Sequence, residues 1–128
     1  MGTDDFHTSE ELVASVEGYG GGSLCPYVAS KHAVNGMIKT ACIEYGSSGL
    51  RFNALAPGPV ADRMIESLNR QRNPENPKED EELIKSCVSM NRYGTNNEIA
   101  QLALFLASDK STYCNGGVFL ADGGWTAG

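Results

Sequence analysis

"PYVASKHAVNGMIKTACIEYGSSGLRFNALAPGPV", residues 26–60, reads as a helix, a glycine stop and a buried strand. Pro26 suits the first helical turn, where its missing N–H would have no partner anyway. Ala33, Val34, Met37, Ile38, Ala41, Cys42 and Tyr45 follow at steps of three and four, an apolar stripe that Gly46 ends. "LRFNALAP" (50–57) is then a short apolar run closed by the "PGP" turn at 57–59, as a strand buried on both faces would be. Tyr27 and Lys31 lie four apart at the N-terminal end of the stripe. Their Cβ atoms share one face about 5–6 Å apart, and both are expected to point toward the interior.

Outward from this core the pattern continues. Residues 1–10 are polar and expected to be unstructured, with the folded domain occupying 11–128. "ELVASV" (11–16) fits either a helix capped by Thr8 and Glu11 or a short buried strand, and the strand is taken here. The glycines of 18–23 make a loop. After the "PGP" turn a helix is expected from Asp62, with Met64, Ile65 and Leu68 inward. "NPENPK" (73–78) is a loop, and a helix over 79–90 presents Leu83, Ile84, Cys87 and Val88. Thr95 and Glu98 form a capping box before "IAQLALFLA" (99–107), a helix apolar on most sides and so expected to be well buried. "GGVFLADGG" (116–124) closes the chain with a strand between glycine turns. Strands alternating with helices at these spacings predict an α/β fold with a parallel sheet.

A chain of 128 residues is sized for one domain. A net charge of −6 argues against nucleic acid or an anionic membrane as partner, since either calls for clustered Lys and Arg. Cys25, Cys42, Cys87 and Cys114 are scattered, with only His7 and His32 to assist. This suggests free thiols in a reducing, cytoplasmic setting and no metal site. The acidic N-terminus reads as neither signal peptide nor membrane span.

A Tyr and a Lys four apart are common on helices, and alone they more often mean a half-buried aromatic beside a snorkelling lysine. Their company changes the reading. Ser15 stands twelve residues before Tyr27, across the glycine loop. "SVEG", "YVASK", "RFNALAPGPV", "NEIAQLALFLASD" and "GGVFLADGGW" follow one another in an order and spacing that resemble the C-terminal half of a short-chain dehydrogenase/reductase. The resemblance runs from about residue 11 to the end. It implies part of a Rossmann-like parallel sheet and an NAD- or NADP-dependent oxidoreductase acting on a small alcohol or carbonyl compound.

By that resemblance Ser15 would hold and polarise the substrate oxygen, and Tyr27 would be the general acid or base. Lys31 would favour the ionised phenol and hydrogen-bond the nicotinamide ribose. A positive charge about 5 Å from a phenolate contributes roughly 3 kcal/mol at an effective dielectric near 20, which supports that role independently of the family. Pro57, Gly58 and Val60 would form a turn at the carboxyl end of a strand, where open α/β sheets bind ligands. Asp62 stands where the family usually has a threonine that contacts the nicotinamide amide. It would accept from that amide, or serve only as the N-cap of the next helix. The segment 70–80 would lie over the substrate. Cys25 reads as a loop thiol and His32 as a solvated histidine.

The family's glycine-rich βαβ unit and its "NNAG" segment are expected upstream of Ser15 and do not occur in these residues. The glycines at 18 and 20–22 are no substitute, because they lead into the tyrosine-bearing helix. The expectation is therefore a partial catalytic domain, inactive alone and inclined to homo-oligomerise through an open sheet edge and its helices. Two other readings stand beside it: a non-catalytic binding or oligomerisation module derived from the family, and an unrelated small α/β protein.

Overall fold

The computed structural model describes residues 9–13 and 25–127, with side chains from residue 25 onward. Strand β1 (Ser9–Val13), helix α1 (Cys25–Tyr45), strand β2 (Arg51–Pro57), helices α2 (Arg63–Arg72), α3 (Pro77–Ser86) and α4 (Asn96–Ala107), and strand β3 (Val118–Ala121) follow in that order. The sheet order is β1-β2-β3. β1 runs parallel to β2, with Ser9 opposite Arg51 and Val13 opposite Leu55. Ladder bonds from Gly116 N to Phe52 O (2.7 Å) and from Gly58 N to Ala121 O (3.1 Å) advance the same way along both chains, so β3 is parallel too. The α/β reading with a parallel sheet holds. Of the ambiguous run 11–16, residues 11–13 are strand and 14–16 lie outside the described residues; the strand begins at Ser9, inside the stretch expected to be unstructured.

The chain divides into two compact units, residues 1–56 with 102–119 and residues 57–101 with 120–128. In the first, β2 is the central strand. Ala54, Leu55 and Ala56 are buried, and Ile38 of α1 packs against Ala54 with Val34, Phe52 and Val118 around it. The buried polar residues of β2 are spoken for. Arg51 donates to Ser111 O (3.0 Å), Ser111 Oγ (2.9 Å) and Ser108 O (3.2 Å), while Asn53 Nδ2 donates to Cys114 O (2.9 Å). Each ties the loop after α4 to the strand, so no buried donor there is left to pay a desolvation penalty.

α1 ends at Tyr45 as expected, but the left-handed residue that turns the chain is Gly49 (φ 81°). It follows a 3-10 turn over Gly46–Ser48 that keeps the helical hand for three more residues. The apolar stripe is also narrower than the sequence suggested. Val34, Ile38, Ala41 and Cys42 are turned inward, whereas Ala33, Met37 and Tyr45 are exposed. One sheet face accommodates only the side chains along its own line of contact.

In the second unit, Asp62 caps α2, its Oδ1 accepting from Met64 N (2.9 Å) and Ile65 N (3.0 Å). Met64 and Leu68, expected to point inward, are exposed, and the buried residue of α2 is Asn69. α3 starts at Pro77, a proline in the first turn, and stops at Ser86. It does not reach Met90, because Met90 N bonds to Gly123 O (3.0 Å) and Asn91 turns the chain at φ 52°. Of its expected apolar face, Ile84 and the following Val88 are buried while Leu83 and Cys87 are exposed. Thr95 and Glu98 make the capping box of α4. That helix is not well buried: only Leu106 is, and Leu104 is 63% exposed. An apolar composition predicts burial only where a partner surface exists to cover each face.

Candidate active site

α1 carries the first group of candidates. Tyr27 and Lys31 continue the line of Val34, Ile38 and Cys42, so the turns that seat Ile38 on β2 also fix the direction of this pair. Lys31 Nζ lies 5.5 Å from the centre of the Tyr27 ring, a cation over the aromatic face. Tyr27 is 45% exposed and Lys31 half-buried, so the pair does not point into the interior as the stripe suggested. The reason is position: the pair occupies the first two turns, N-terminal to the residues that reach the core. His32 is exposed, its Nδ1 2.9 Å from Val28 O, and Cys25 is an exposed first residue of the helix instead of a loop thiol. Ser15 lies outside the described residues.

The second group, Pro57, Gly58, Val60 and Asp62, belongs to the other unit. Its backbone is clamped on two sides. Gly94 N donates to Pro59 O (2.9 Å) and Ala61 N to Gly94 O (2.9 Å), a parallel bridge centred on Val60. A Cβ on Gly58 would come 2.6 Å from Asp122 Cα, so only glycine lets the two backbones approach. Asp122 in turn accepts from Gly124 N (2.9 Å), Thr126 N (3.1 Å) and Thr126 Oγ1 (2.7 Å). Burial pushes its carboxyl up, but these donors outweigh burial and hold it below the usual range. Asp62 is the N-cap already described, with Oδ1 engaged by two helix N–H groups. Segment 70–80 holds the end of α2, the link at 73–76 and the start of α3.

Two clusters escaped the sequence reading. Arg92 grips Glu98 with both guanidinium nitrogens (3.0 and 2.7 Å), drawing the capping-box carboxylate into an ion pair. Asn69 is buried beside Tyr93 and Asp80, with its side-chain amide 3.3 Å from the Tyr93 hydroxyl oxygen. A signal for the second was present: Asn69 takes the position one turn after Ile65, where an amphipathic helix ordinarily places an apolar residue. Among the described residues, no His, Cys, Asp and Glu are grouped to hold a metal. No helix among them is long and apolar enough to cross a membrane.

The family model described as enoyl-(acyl carrier protein) reductase, of the short-chain dehydrogenase/reductase family, matches residues 11–126. The chain belongs to that family. It is 41% identical over 115 residues to levodione reductase of Leifsonia aquatica, a match covering 89% of this chain and 43% of that protein. It is likewise 41% identical over 113 residues to a 3-oxoacyl-(acyl-carrier-protein) reductase of Thermotoga maritima, covering 88% of this chain and 43% of the relative. The crystal structure of levodione reductase superposes with a TM-score of 0.87 at 38% identity, over 91% of this chain and 46% of that one. A dehydrogenase structure from Agrobacterium tumefaciens with bound NADP gives 0.78 at 31% identity, over 94% and 47%. The chain thus spans less than half the length of the curated relatives it matches. Rossmann-like α/β architecture and oxidoreductase kinship are established together.

Proposed function

We propose that this chain carries the catalytic end of an NAD- or NADP-dependent oxidoreductase that interconverts an alcohol and a carbonyl compound. The observation that carries the reading is the lysine ammonium over the tyrosine ring, one turn apart on a helix of this family. A half-exposed phenol beside a fixed cation suits an acid–base group that must meet a small molecule. In this reading Tyr27 gives a proton to the carbonyl oxygen during reduction and takes it from the alcohol during oxidation. Ser15 holds that oxygen, and Lys31 binds the nicotinamide ribose.

The side-chain types at the candidate positions suit the groups of a nicotinamide riboside. By their chemistry, the Lys31 ammonium would donate to a ribose hydroxyl and the Asp62 carboxylate would accept from an amide N–H. Pro57, Gly58 and Val60 form the turn that precedes Asp62; Gly58 also has the packing reason given above. When bound, the cofactor supplies or receives the hydride. The relative with bound NADP supports this cofactor class.

The substrate is a small alcohol or carbonyl compound, the setting cytoplasmic, and neither nucleic acid nor membrane is a partner. The 128-residue polypeptide alone is inactive and pairs with further copies. Exposed Met37 and Ile43 of α1 and Leu104 and Phe105 of α4 favour such pairing, and they equally suit the alternative of a non-catalytic oligomerisation module. The test is to join the chain to the dinucleotide-binding half of levodione reductase and compare Tyr27 with Tyr27→Phe. General acid–base catalysis contributes about 10²–10⁴-fold, so turnover should fall by that factor with the fold intact. Equal rates would remove the catalytic reading and leave the module.

A further inference from the structure

Tyr27 and Lys31 sit on the part of α1 that packing among the described residues holds least. Of residues 25–33 only Val28 and Lys31 are half-buried, and the rest are exposed. Val34 is the first residue of the helix to join the core around Ile38 and Ala54. Pro26 brings no N–H to the first turn. Val34 and Ile38 therefore give the pair its bearing, and its tilt is left to the bonds of the first two turns.

In an α-helix the Tyr27 carbonyl accepts from the Lys31 amide, and the Val28 carbonyl from the His32 amide. Each of these carbonyls has a second donor. The Ser30 hydroxyl donates to Tyr27 O at 2.7 Å, the usual length of a good O–H···O bond. His32 Nδ1 lies 2.9 Å from Val28 O and donates to it in the tautomer that carries its proton there. A hydroxyl bonded back onto the preceding turn shares the carbonyl with the backbone N–H, draws it outward and bends the helix. A third bond of this kind, Thr40 Oγ1 to Gly36 O at 3.0 Å, lies between Val34 and Cys42. There Ile38 packs on Ala54 and Cys42 lies against Gly116, so the sheet holds the axis straight whatever the hydroxyl does.

We propose that Ser30 is a positioning residue for the acid–base pair. Its hydroxyl on the Tyr27 carbonyl sets the tilt of the first two turns of α1 and so the place of the phenol, and His32 repeats the contact one residue on. The proposal rests on the reading of Tyr27 as the acid–base group. Serine is a poorer helix former than alanine, so this position gives up helix propensity and keeps a bond that alanine cannot make. Ser30 acts through Tyr27 and touches no reacting atom.

Two measurements separate this role from the reading beneath it. In the full 128-residue chain, NMR follows the ε-methylene protons of Lys31, which are carried with the ammonium over the Tyr27 ring and shifted upfield by it. Ser30→Ala should move them toward the position of free lysine. Ser30→Thr should restore the parent shift, and Thr40→Ala should leave it unchanged. The melting temperature of Ser30→Ala should stay level or rise, since alanine is the better helix former. In the fusion with the dinucleotide-binding half of levodione reductase, Ser30→Ala should lower kcat about tenfold, where a full 1 Å of misplacement costs about 100-fold. The cofactor KM should stay near the parent value, because the flexible lysine stem can follow the ribose and the rigid phenol cannot. An unmoved Lys31 signal in Ser30→Ala, an equal movement in Thr40→Ala, or no recovery in Ser30→Thr would overturn the positioning role. So would a melting temperature that falls along with kcat. Parent kcat in Ser30→Ala beside lost turnover in Tyr27→Phe would overturn it while the acid–base reading stands. Turnover that survives in Tyr27→Phe removes that reading and the positioning role with it.

Discussion

Lys31 holds its ammonium 5.5 Å from the centre of the Tyr27 ring, so the cation lies over the aromatic face at the exposed start of α1. A contact of that kind is worth about 0.5–1 kcal/mol at an exposed site. Its loss in Lys31→Ala should lower the melting temperature by only a few degrees. In the fused enzyme the same change should weaken cofactor binding about tenfold or more, through loss of a charged hydrogen-bond donor. Circular dichroism melts beside cofactor titrations separate the two effects. A larger drop in melting temperature with unaltered cofactor affinity would make the lysine structural.

Glu98 gives a pH-dependent prediction. The Arg92 ion pair, with the Thr95 N–H and hydroxyl behind it, holds its carboxyl down from 4.5 to about 2. A depressed carboxylate stabilises the folded state fully above its unfolded value, and the contribution is lost as pH falls through the folded one. Glu98→Gln should thus melt below the parent at pH 7, and the gap should narrow steadily between about pH 4.5 and 2. Both partners are solvent-exposed, so the shift is moderate and should shrink in high salt. A gap that stays constant from pH 7 to 2.5 would count against the pairing.

The fold was legible wherever local chemistry alone decides an element. α1, β2, the Asp62 cap and the Thr95–Glu98 box each depend on residues within a few positions of one another. Which apolar side chains are covered is not decided locally. Met64, Leu68 and Leu104 sit at proper helical spacing, yet spacing says only that they share a face. Whether another surface meets that face depends on distant chain. The tyrosine–lysine pair was legible for the same local reason. The Arg51 network was not, because its partners lie 57 to 63 positions away. For Asn69 only the polar residue at an apolar position was legible, its partners Asp80 and Tyr93 lying 11 and 24 positions on.

Two glycines should respond to alanine with opposite signs. Gly36 lies exposed within α1 and a Cβ there meets nothing within 4 Å, so Gly36→Ala should stabilise by about 0.5–1 kcal/mol through helix propensity. Gly58→Ala drives its Cβ to 2.6 Å from Asp122 Cα and 2.9 Å from its carbonyl oxygen, both backbone atoms that cannot swing aside. It should cost about 1–3 kcal/mol or more. Urea titration of both variants reads the signs directly. A neutral Gly58→Ala would mean that β2 and β3 do not approach this closely where they end.

The last prediction concerns the 128-residue polypeptide by itself. It should neither bind a nicotinamide dinucleotide usefully nor transfer hydride. More than half the length of levodione reductase lies outside the matched region. The candidate groups in hand, Tyr27, Lys31 and Asp62, suit only the nicotinamide end, and a pyrophosphate needs a helix N-terminus behind a glycine turn. The only glycine-rich run in the first half, at 18–22, leads into the helix that carries Tyr27 and Lys31. At the same time Ile43 is 84% exposed, with Met37, Leu104 and Phe105 also uncovered, which favours self-association. Purified protein titrated with NADH and NADPH, followed by fluorescence and analytical sedimentation, examines both statements. The expected result is no saturation into the millimolar range, with sedimentation that depends on protein concentration. Micromolar binding by a concentration-independent monomer would show that these residues hold a complete cofactor site, and the proposed division of labour would have to be abandoned.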